Sequence, residues 1–291
     1  MTKKHELSLI KEYLATLKLG QIASIVDEEL IRATREGSAV GEVLERLLAA
    51  ECDVRTERRI ERRILESKLT ERKLFSAFDF DFQTGMDKAQ IMELASLRFL
   101  ERKLSLLIAG NSGTGKSHVA KAILLSACQK QWRCRYTTGA AMLKDLLSGL
   151  CDDTLDQKLK PYTQADVLLI DEVGFDRLEH ESARNASLFY KVIDGRYTRG
   201  ASTLMTTNID FEELGDYLGD PRITTTIVDR MVHHAIILNV VGPSWRAHES
   251  QLINNPKPVV AKPPKAHSKP LGAIRDPSPP RTTTSDITET P

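Results

Sequence analysis

Hydrophobic side chains recur every three or four residues along the first 74 positions of the chain. This period places each set on one face of a helix, and Gly20, Gly37 and Gly41 fall where turns between helices are expected. The sets are Leu7, Ile10, Leu14 and Leu17, then Val40, Val43, Leu44, Leu47 and Leu48, and then Ile60, Ile64, Leu65 and Leu69. We therefore predict a small N-terminal helical domain over residues 1–74.

Short apolar runs replace this period from about residue 75 to residue 250. Turn or polar residues bound each run, and segments long enough for helices separate the first four. Near-continuous apolar strands joined by helical crossovers are typical of a parallel sheet. The runs are LSLLIAG (104–110), CRYTTG (134–139), DVLLIDE (166–172), STLMTTN (202–208) and AIILNVV (235–241). The pattern predicts an α/β domain over residues 75–250, in which helices flank a parallel sheet.

The hydrophobic period disappears after about residue 252, where Pro, Ser, Thr and Lys dominate. Such a composition buries too little apolar surface to offset the entropy of ordering the chain. We interpret residues 251–291 as a Pro-rich disordered tail.

The overall composition limits the possible functions. Hydrophobic residues make up 41% of the chain and charged residues 28%, as in ordinary soluble proteins. The formal net charge is only +1, so any nucleic-acid surface must come from local clusters of basic residues. The four cysteines form no CxxC pair and are expected to be free thiols. No apolar run approaches the roughly 20 residues of a membrane span, and the charged N-terminus lacks a signal-peptide core, so we expect a cytoplasmic protein without a membrane partner.

A glycine-rich segment, GNSGTGKSH, lies between the first predicted strand and the helix that follows it. Its glycines allow backbone N–H groups to surround phosphate oxygens, and the helix N-terminus adds its positive dipole end. Lys116 is predicted to bind the β- and γ-phosphates of ATP, and the Ser117 hydroxyl to bind Mg²⁺. A chance glycine-rich turn is the alternative, but the strand before it and the helix after it favour nucleotide binding. The predicted nucleotide-binding residues are Gly110, Asn111, Ser112, Gly113, Thr114, Gly115, Lys116, Ser117 and His118.

Two adjacent carboxylates end the run ADVLLIDE. The carboxyl ends of strands are where open α/β sheets bind their ligands. Asp171 is predicted to complete the Mg²⁺ shell, and Glu172 to orient and polarise a water molecule for attack on the γ-phosphate. An acidic turn after a strand is common in isolation, but the phosphate loop upstream makes it the weaker interpretation. A small-molecule kinase could also use the aspartate, whereas the adjacent glutamate favours water as the nucleophile.

The next strand, STLMTTN, ends in polar residues on the same edge of the sheet. Asn208 could hydrogen-bond the attacking water or the γ-phosphate, which makes it a candidate catalytic residue beside Glu172. Alternatively, Asn208 and Asp210 cap the helix that follows, and this stretch taken alone favours the capping role.

The segment RTERRIERRILESKLTERK, residues 55–73, carries eight Lys or Arg and four Glu. On a helix, four of its arginines would form a basic stripe opposite Ile60 and Ile64, suited to phosphate contacts that do not read sequence. The stripe consists of Arg58, Arg59, Arg62 and Arg63. A solvated face is the alternative, because glutamates three or four residues along could pair with these arginines. Like charges four residues apart cost stability unless an outside anion relieves them, so we favour a contact with duplex DNA.

The late run VDRMVHHA contains two adjacent histidines, His233 and His234. Successive side chains diverge by about 100° on a helix and point oppositely on a strand. No cluster of cysteines or carboxylates stands near them in the sequence. We therefore expect no metal at these histidines and favour a packing or partner-facing role.

Taken together, GNSGTGKS, LLIDE, MTTN and VDRMVHHA followed by GPSWR resemble, in order and spacing, the AAA+ ATPases of the IstB/DnaC type. The match is closer to IstB and covers about residues 5–250, including LLAAE, RTERRIERRI and the aromatic link FSAFDFDF. Two exchanges depart from the family pattern. Asn111-Ser112 stands where Pro-Pro is usual, which should leave the loop backbone intact, and Trp245 stands where Tyr is usual.

The resemblance implies an ATP-dependent homo-oligomer that binds duplex DNA, mainly without sequence preference, and prepares it for a transposase. It also implies catalytic roles for two arginines. Arg230 would face the nucleotide of the neighbouring subunit, and Arg246 would contact the γ-phosphate of its own subunit. A fixed guanidinium suits the charge that develops on that phosphate. Arg222 is a second candidate for the trans role, and an exposed Asp229–Arg230 ion pair is the structural alternative.

Three functions stay open on the sequence alone. The leading one is a transposition helper of an insertion sequence, whose ATP hydrolysis controls release from target DNA. The second is a helicase loader of the DnaC type, which would engage single strands and a replicative helicase. The third is a phosphotransferase acting on a small molecule. Stimulation of ATP hydrolysis by duplex DNA, by single strands or by neither distinguishes them.

Overall fold

The structure is a computed structural model that describes residues 3–175, 182–210 and 213–254. The predicted Pro-rich tail lies outside these ranges, except that the last helix continues to Asn254 and so passes the predicted boundary at residue 250. Within the described ranges, no helix is long and apolar enough to cross a membrane.

The N-terminal region is helical, as the hydrophobic period predicts. Its helices are α1 (Lys3–Thr16), α2 (Gly20–Glu36) and α3 (Val40–Ser67). A small core forms between α2 and α3 from Ile22, Val26, Val43 and Leu47. The buried carboxylate of Glu51 on α3 accepts hydrogen bonds from the first backbone N–H groups of α2, which helix geometry leaves without partners inside the helix.

The C-terminal half of α3 packs on the next region rather than on α1 and α2. Ile64 is buried in the core of the sheet, and Ile60 and Leu69 pack against the same cluster. Helix α3 is therefore a continuous helix that packs on the N-terminal helices at one end and on the sheet at the other.

The remaining elements alternate strands and helices. The strands are β1 (Ser105–Gly110), β2 (Cys134–Thr138), β3 (Val167–Val173), β4 (Ser202–Thr207) and β5 (Ala235–Val240). The helices are α4 (Lys88–Ala95), α5 (Arg98–Glu101), α6 (Lys116–Gln129), α7 (Gly139–Cys151), α8 (Leu155–Thr163), α9 (Ser182–Arg199), α10 (Leu214–Leu218), α11 (Pro221–Val232) and α12 (Trp245–Asn254), with a single 3-10 turn at Phe75–Ala77 before α4.

All five predicted apolar runs form strands, and they pair in parallel in the order β2-β3-β4-β1-β5. Helices cover both faces. Helices α4 and α6 pack on one face through residues such as Ile91 and Ile123, and α7, α9 and α11 pack on the other. The predicted α/β class is thus confirmed. Because β4 lies between β1 and β3, the end of β4 reaches the gap between the glycine-rich segment and the two carboxylates.

Candidate nucleotide site

The glycine-rich segment forms a tight loop between β1 and α6. Its glycines Gly110, Gly113 and Gly115 have φ angles of 141°, 82° and 88°, a region that disfavours side chains. A β-carbon on Gly113 would also lie 2.1 Å from Ser244 Oγ. The Asn111 carbonyl oxygen accepts a hydrogen bond from Thr114 Oγ1 at 2.8 Å, so the loop closes on itself without the prolines usual in the family.

Lys116 begins α6 and turns its ammonium group back over this loop. Its Nζ donates to the carbonyl oxygens of Gly110 and Asn111, both at 2.7 Å. Burial lowers the pKa of Lys116, with Arg246 acting in the same direction, while Asp171 and Glu172 oppose the shift. A buried cation held by carbonyl oxygens alone is ready to exchange them for a phosphate, which carries full charge.

A hydrogen-bond network joins the two predicted Mg²⁺ ligands to the neighbouring strand. Ser117 Oγ donates to Asp171 Oδ1 at 2.8 Å. The Thr206 hydroxyl, buried at the end of β4, donates to the same carboxylate oxygen. Thr206 Oγ1 also accepts the backbone N–H of Glu172 at 2.9 Å. The hydroxyl and carboxylate oxygens of Ser117 and Asp171 are the ligand types that Mg²⁺ prefers, so this pair fits the ion.

Glu172 occupies an irregular position in β3. Its φ angle is +57°, and the pairing of β3 with β4 shifts register between Ile170 and Val173. Left-handed backbone at a non-glycine residue is uncommon and needs support from its surroundings. Here the Thr206 hydroxyl supplies that support, and the side chain of Glu172 lines the cleft above the loop.

The sequence predicted Thr206 at this edge of the sheet but assigned it no role, and it did not single out Lys121. Lys121 lies one helical turn after Ser117 on α6, with its Nζ 3.7 Å from Asp171 Oδ2 and 3.4 Å from Glu71 Oε2. Burial acts to lower the pKa of Lys121, but nearby Tyr136, Asp171 and Glu71 outweigh it and raise that pKa. The spacing from Ser117 could have suggested Lys121, whereas the contacts of Thr206 with Asp171 and Glu172 depend on which strand lies beside β3.

Aromatic residues of the segment before α4 cover the loop. A β-carbon on Gly115 would lie 2.6 Å from the ring of Phe78, and the ring centroid of Phe78 is 5.3 Å from that of His118. The buried amide of Gln83 donates to the carbonyl oxygens of Thr114 at 2.8 Å and of Pro243 at 3.2 Å. The segment therefore ties the loop to the GPSWR segment, and His118 lies at its edge.

These residues enclose a cleft of about 790 Å³ at the carboxyl edge of the sheet. The volume suits a nucleotide. The predicted residues that line it are Ser112, Gly113, Thr114, Gly115, Lys116, Ser117, His118, Glu172, Asn208 and Arg246. Asn208 is exposed at the end of β4 and faces the cleft, and Arg246 follows Trp245, whose backbone N–H donates to the Gly113 carbonyl oxygen at 2.9 Å. Gly110 and Asn111 form the base of the loop, and Asp171 lies buried beneath Ser117.

Arg230 lies elsewhere. It lines a small cavity with Ser105, at the beginning of β1, whereas the phosphate loop follows the end of that strand. Its guanidinium pairs with Asp194 on α9 and lies 4.8 Å from the ring centroid of Tyr190. The expected alternative partner, Asp229, is not the one that Arg230 contacts. Arg222 is exposed at the beginning of α11.

The two histidines are closer together than helix geometry predicts. Their ring centroids are 4.1 Å apart. The divergence argument was wrong here because α11 ends at Val232, so His233 and His234 lie in the turn before β5. His233 Nδ1 is 3.2 Å from the hydroxyl of Tyr197. In the described part of the chain, no three His, Cys, Asp or Glu residues form a group that could hold a metal ion.

The predicted basic stripe on α3 divides into two parts. Arg59 donates to the Gln131 side chain at 3.1 Å and so lies toward the sheet region. Arg63 donates to Glu66 on the same helix at 3.2 Å and lies beside Arg133 and Arg135 at the beginning of β2. Arg58 and Arg62 are exposed, and neither makes a hydrogen bond or ion pair with any described residue. The Glu61 carboxylate, a predicted partner of Arg58, instead pairs with Arg72 at 2.7 Å.

Comparison with known proteins places these features in one family. The model for "IstB-like ATP binding protein" matches residues 12–252. A protein of Bacillus thuringiensis subsp. berliner, described as an ATP-binding protein of insertion sequence IS232, is 34% identical over 230 residues, which is 79% of this chain and 90% of that protein. The corresponding protein of insertion sequence IS5376 from Geobacillus stearothermophilus is 34% identical over 243 residues, or 84% and 95% of the two chains.

Two solved structures give partial matches to this chain. The DnaC helicase loader has a TM-score of 0.47 and 21% identity, and the match covers 60% of this chain and 99% of that chain. AMPPCP-bound DnaA from Aquifex aeolicus has a TM-score of 0.48 and 17% identity, with 64% and 56% covered.

Proposed function

Since this chain belongs to the family of IstB-like ATP-binding proteins, we propose that it is an ATP-hydrolysing helper of an insertion sequence. In this role it assembles on target duplex DNA and recruits a transposase, and ATP hydrolysis controls its release. The observation that carries the hydrolytic part is the network in which Ser117, Asp171, Thr206 and Glu172 are joined beside Lys116.

The phosphate end of ATP would lie against the loop. Lys116 would exchange the carbonyl oxygens of Gly110 and Asn111 for oxygens of the β- and γ-phosphates, to which its charge is matched. Ser117 and Asp171 would hold Mg²⁺, which when bound neutralises charge on those phosphates. Arg246 lines the same cleft and would contact the γ-phosphate from within the subunit.

Glu172 is the proposed activating group for water. Its irregular backbone places the side chain in the cleft rather than in the sheet, and the neighbouring Asn208 could hold the same water. A carboxylate next to the phosphate loop can accept the proton that the attacking water loses. Neither Asn208 nor Asp210 caps the next described helix, because α10 begins at Leu214 and has Glu213 at its N-cap.

The site is proposed to be completed by a second copy of the chain. Arg230 lies near Ser105, at the opposite end of β1 from the phosphate loop, and this six-residue strand is about 17 Å long. A head-to-tail contact would bring that end of one subunit to the cleft of the next. Arg230 could then leave Asp194 and stabilise the charge that develops on the γ-phosphate.

DNA binding is proposed for the exposed side of α3. Arg58 and Arg62 carry charge that no described carboxylate neutralises, one helical turn apart. Such a pair fits backbone phosphates and gives no sequence preference. The connection of α3 to the sheet core through Ile64 would couple this surface to the nucleotide site.

The experiment that tests the proposed function measures ATP hydrolysis by the full chain with unrelated duplexes, with single strands and without DNA. We expect duplexes of any sequence to stimulate hydrolysis more than single strands do. The double variant Arg58→Glu, Arg62→Glu should lose this stimulation and retain the rate without DNA. Its matched control, Lys18→Glu with Lys144→Glu, makes the same change in net charge at two exposed lysines outside α3 and should behave like the wild type.

Other outcomes point to the alternatives. A preference for single strands would replace the proposal with a helicase loader. A rate independent of DNA, together with phosphoryl transfer to a small molecule, would replace it with a phosphotransferase.

A further inference from the structure

A second cleft opens at the amino edge of the sheet, opposite the nucleotide site. It lies between α3, the beginning of β2 and α8, and has a volume of about 380 Å³. We refer to it as the basic cleft. The described residues that line it are Arg63, Glu66, Arg133, Cys134, Arg135, Gln157, Lys160, Pro161, Gln164 and Ala165.

Positive charge dominates the basic cleft. Four of its lining residues are cationic, and Glu66, the partner of Arg63, is the one carboxylate among them. Asp166 lies just outside and is shared by Arg133 at 2.7 Å and Arg199 at 3.5 Å. Lys160 is exposed on α8 and forms no side-chain ion pair with a described residue. This excess of positive charge would attract an anion.

A further cation lies beneath the floor of the basic cleft. The side chain of Arg196 is fully buried and donates to the carbonyl oxygens of Tyr162 at 2.6 Å and Ala165 at 2.9 Å. Burial lowers the pKa of Arg196 to about 9, so the guanidinium still carries its charge at neutral pH. This residue fixes the loop between α8 and β3 and adds to the positive potential of the cleft.

Arg135 is the residue that most clearly lacks an anion. Its guanidinium lies 5.5 Å from the ring centroid of Tyr162, which limits its movement. Its Nε is shielded from solvent, yet has no hydrogen-bond partner among the described residues. A shielded donor without an acceptor costs free energy that a bound phosphate oxygen would recover.

We propose that the basic cleft binds a backbone phosphate of DNA and extends the DNA surface of α3 across to the sheet. This inference rests on the proposed DNA-binding function. The two surfaces are continuous, because Arg59 on α3 bonds Gln131, two residues before Arg133 of the cleft. Arg58 and Arg62 lie on the exposed side of the same helix.

The lining residues favour a phosphodiester over a free nucleotide. The described residues that line the basic cleft include no aromatic ring on which a base could stack and no glycine loop that could surround a triphosphate. The exposed amides of Gln157 and Gln164 and the cations can donate hydrogen bonds to phosphate oxygens. Such contacts position a nucleic acid without reading its sequence.

The test measures binding of fluorescent duplexes of unrelated sequence to the full chain over a range of salt concentrations. The double variant Arg135→Gln, Lys160→Gln should bind all of them about 10-fold more weakly, and the slope of log K against log salt should become less steep by about 1, as expected for the loss of one phosphate contact. Glu66→Gln removes the one carboxylate of the cleft and frees Arg63, so it should bind several-fold more tightly. A gain of affinity cannot come from misfolding.

A control and a second measurement complete the test. Lys144→Gln with Lys191→Gln, two exposed lysines on α7 and α9, should leave affinity and slope unchanged. The number of ATP molecules bound per chain should be the same in the cleft variants and the wild type. A lower number would place a nucleotide in the basic cleft and overturn the inference.

Two results separate this inference from the proposed function. If the wild type binds duplexes and all cleft variants match it in affinity and slope, the inference is wrong and DNA binding stands. If the wild type binds no duplex, the proposed function fails, and this inference fails with it.

Discussion

The nucleotide cleft and the α9–α11 face around Arg230 differ in how complete they are. In the cleft, Lys116, Asp171 and Glu172 are already connected through the loop, Ser117 and Thr206. On the α9–α11 face, Arg230 is the residue for which the family resemblance implies a catalytic role ahead of Arg222, and it is held by Asp194 and Tyr190 at the opposite end of β1 from the phosphate loop. The comparison teaches that the predicted phosphate-loop and Mg²⁺ residues form one connected network at one end of the sheet, whereas Arg230 at the other end is bound to groups of its own chain, so its proposed catalytic role requires a second subunit.

The largest expected effect comes from removing the cation of the cleft. Lys116→Ala should weaken ATP binding by at least about 100-fold, because two charge-assisted contacts of about 1.5–3 kcal/mol each are lost. Equilibrium binding of a fluorescent ATP analogue measures this. Lys144→Ala, an exposed lysine on α7, is the control and should bind normally. Wild-type affinity in the Lys116 variant would mean that the phosphates lie elsewhere.

The next effect separates binding from chemistry within the cleft. Glu172→Gln keeps the size of the side chain but loses the charge that accepts a proton from water. We expect ATP affinity to be retained, hydrolysis to fall by about 100-fold or more, and the complex with DNA to last longer. Single-turnover hydrolysis measures the rate of the chemical step, and dissociation from a labelled duplex measures the lifetime of the complex with DNA. The control variant Glu213→Gln, at the beginning of α10, should have no effect. Normal turnover by the Glu172→Gln variant would mean that Glu172 is not the group that activates water.

The parts that the sequence predicted correctly depend on local patterns. The apolar runs marked the central strands β1, β3 and β4 because strands buried on both faces are mostly apolar, and the edge strands β2 and β5 formed from the less uniform runs CRYTTG and AIILNVV. The glycine loop and the carboxylates that end β3 were recognisable because each motif is contiguous and its position in a sheet is fixed by the strand beside it. The same reasoning placed Asn208 on the correct edge of the sheet.

The parts that it could not predict depend on which segments meet in space. Thr206 supports Glu172 only because β4 lies beside β3, and the sequence pattern did not give that order. The basic cleft combines three segments that are far apart in sequence. Arg230 on α11 pairs with Asp194 on α9 rather than with its sequence neighbour Asp229. Periodicity along one helix likewise could not show that Arg59 turns toward Gln131.

The smallest effect is expected when two inactive variants are mixed, because only part of the hydrolysis activity should return. This experiment tests the comparison of the two regions most directly. Arg230→Ala should lose turnover much more than ATP affinity, because a guanidinium acting on developing charge contributes mainly in the transition state. Hydrolysis per subunit should also rise with protein concentration in the wild type. In an equal mixture of the Arg230→Ala and Lys116→Ala proteins, about a quarter of head-to-tail interfaces join an intact loop to an intact Arg230. The mixture should recover up to about a quarter of wild-type hydrolysis, although each protein alone is inactive.

The variant Asp194→Asn distinguishes a catalytic role of Arg230 from a purely structural one. It breaks the ion pair with Arg230 but leaves the guanidinium in place. If the pair only holds α9 against α11, this variant should lose as much activity as Arg230→Ala does. If Arg230 must instead leave Asp194 to reach the neighbouring nucleotide, turnover should be retained, since the arginine is released from its competing partner. No recovery in the mixture despite demonstrated co-assembly would contradict a trans role for Arg230 and leave Arg222, exposed at the beginning of the same helix, as the residue to test.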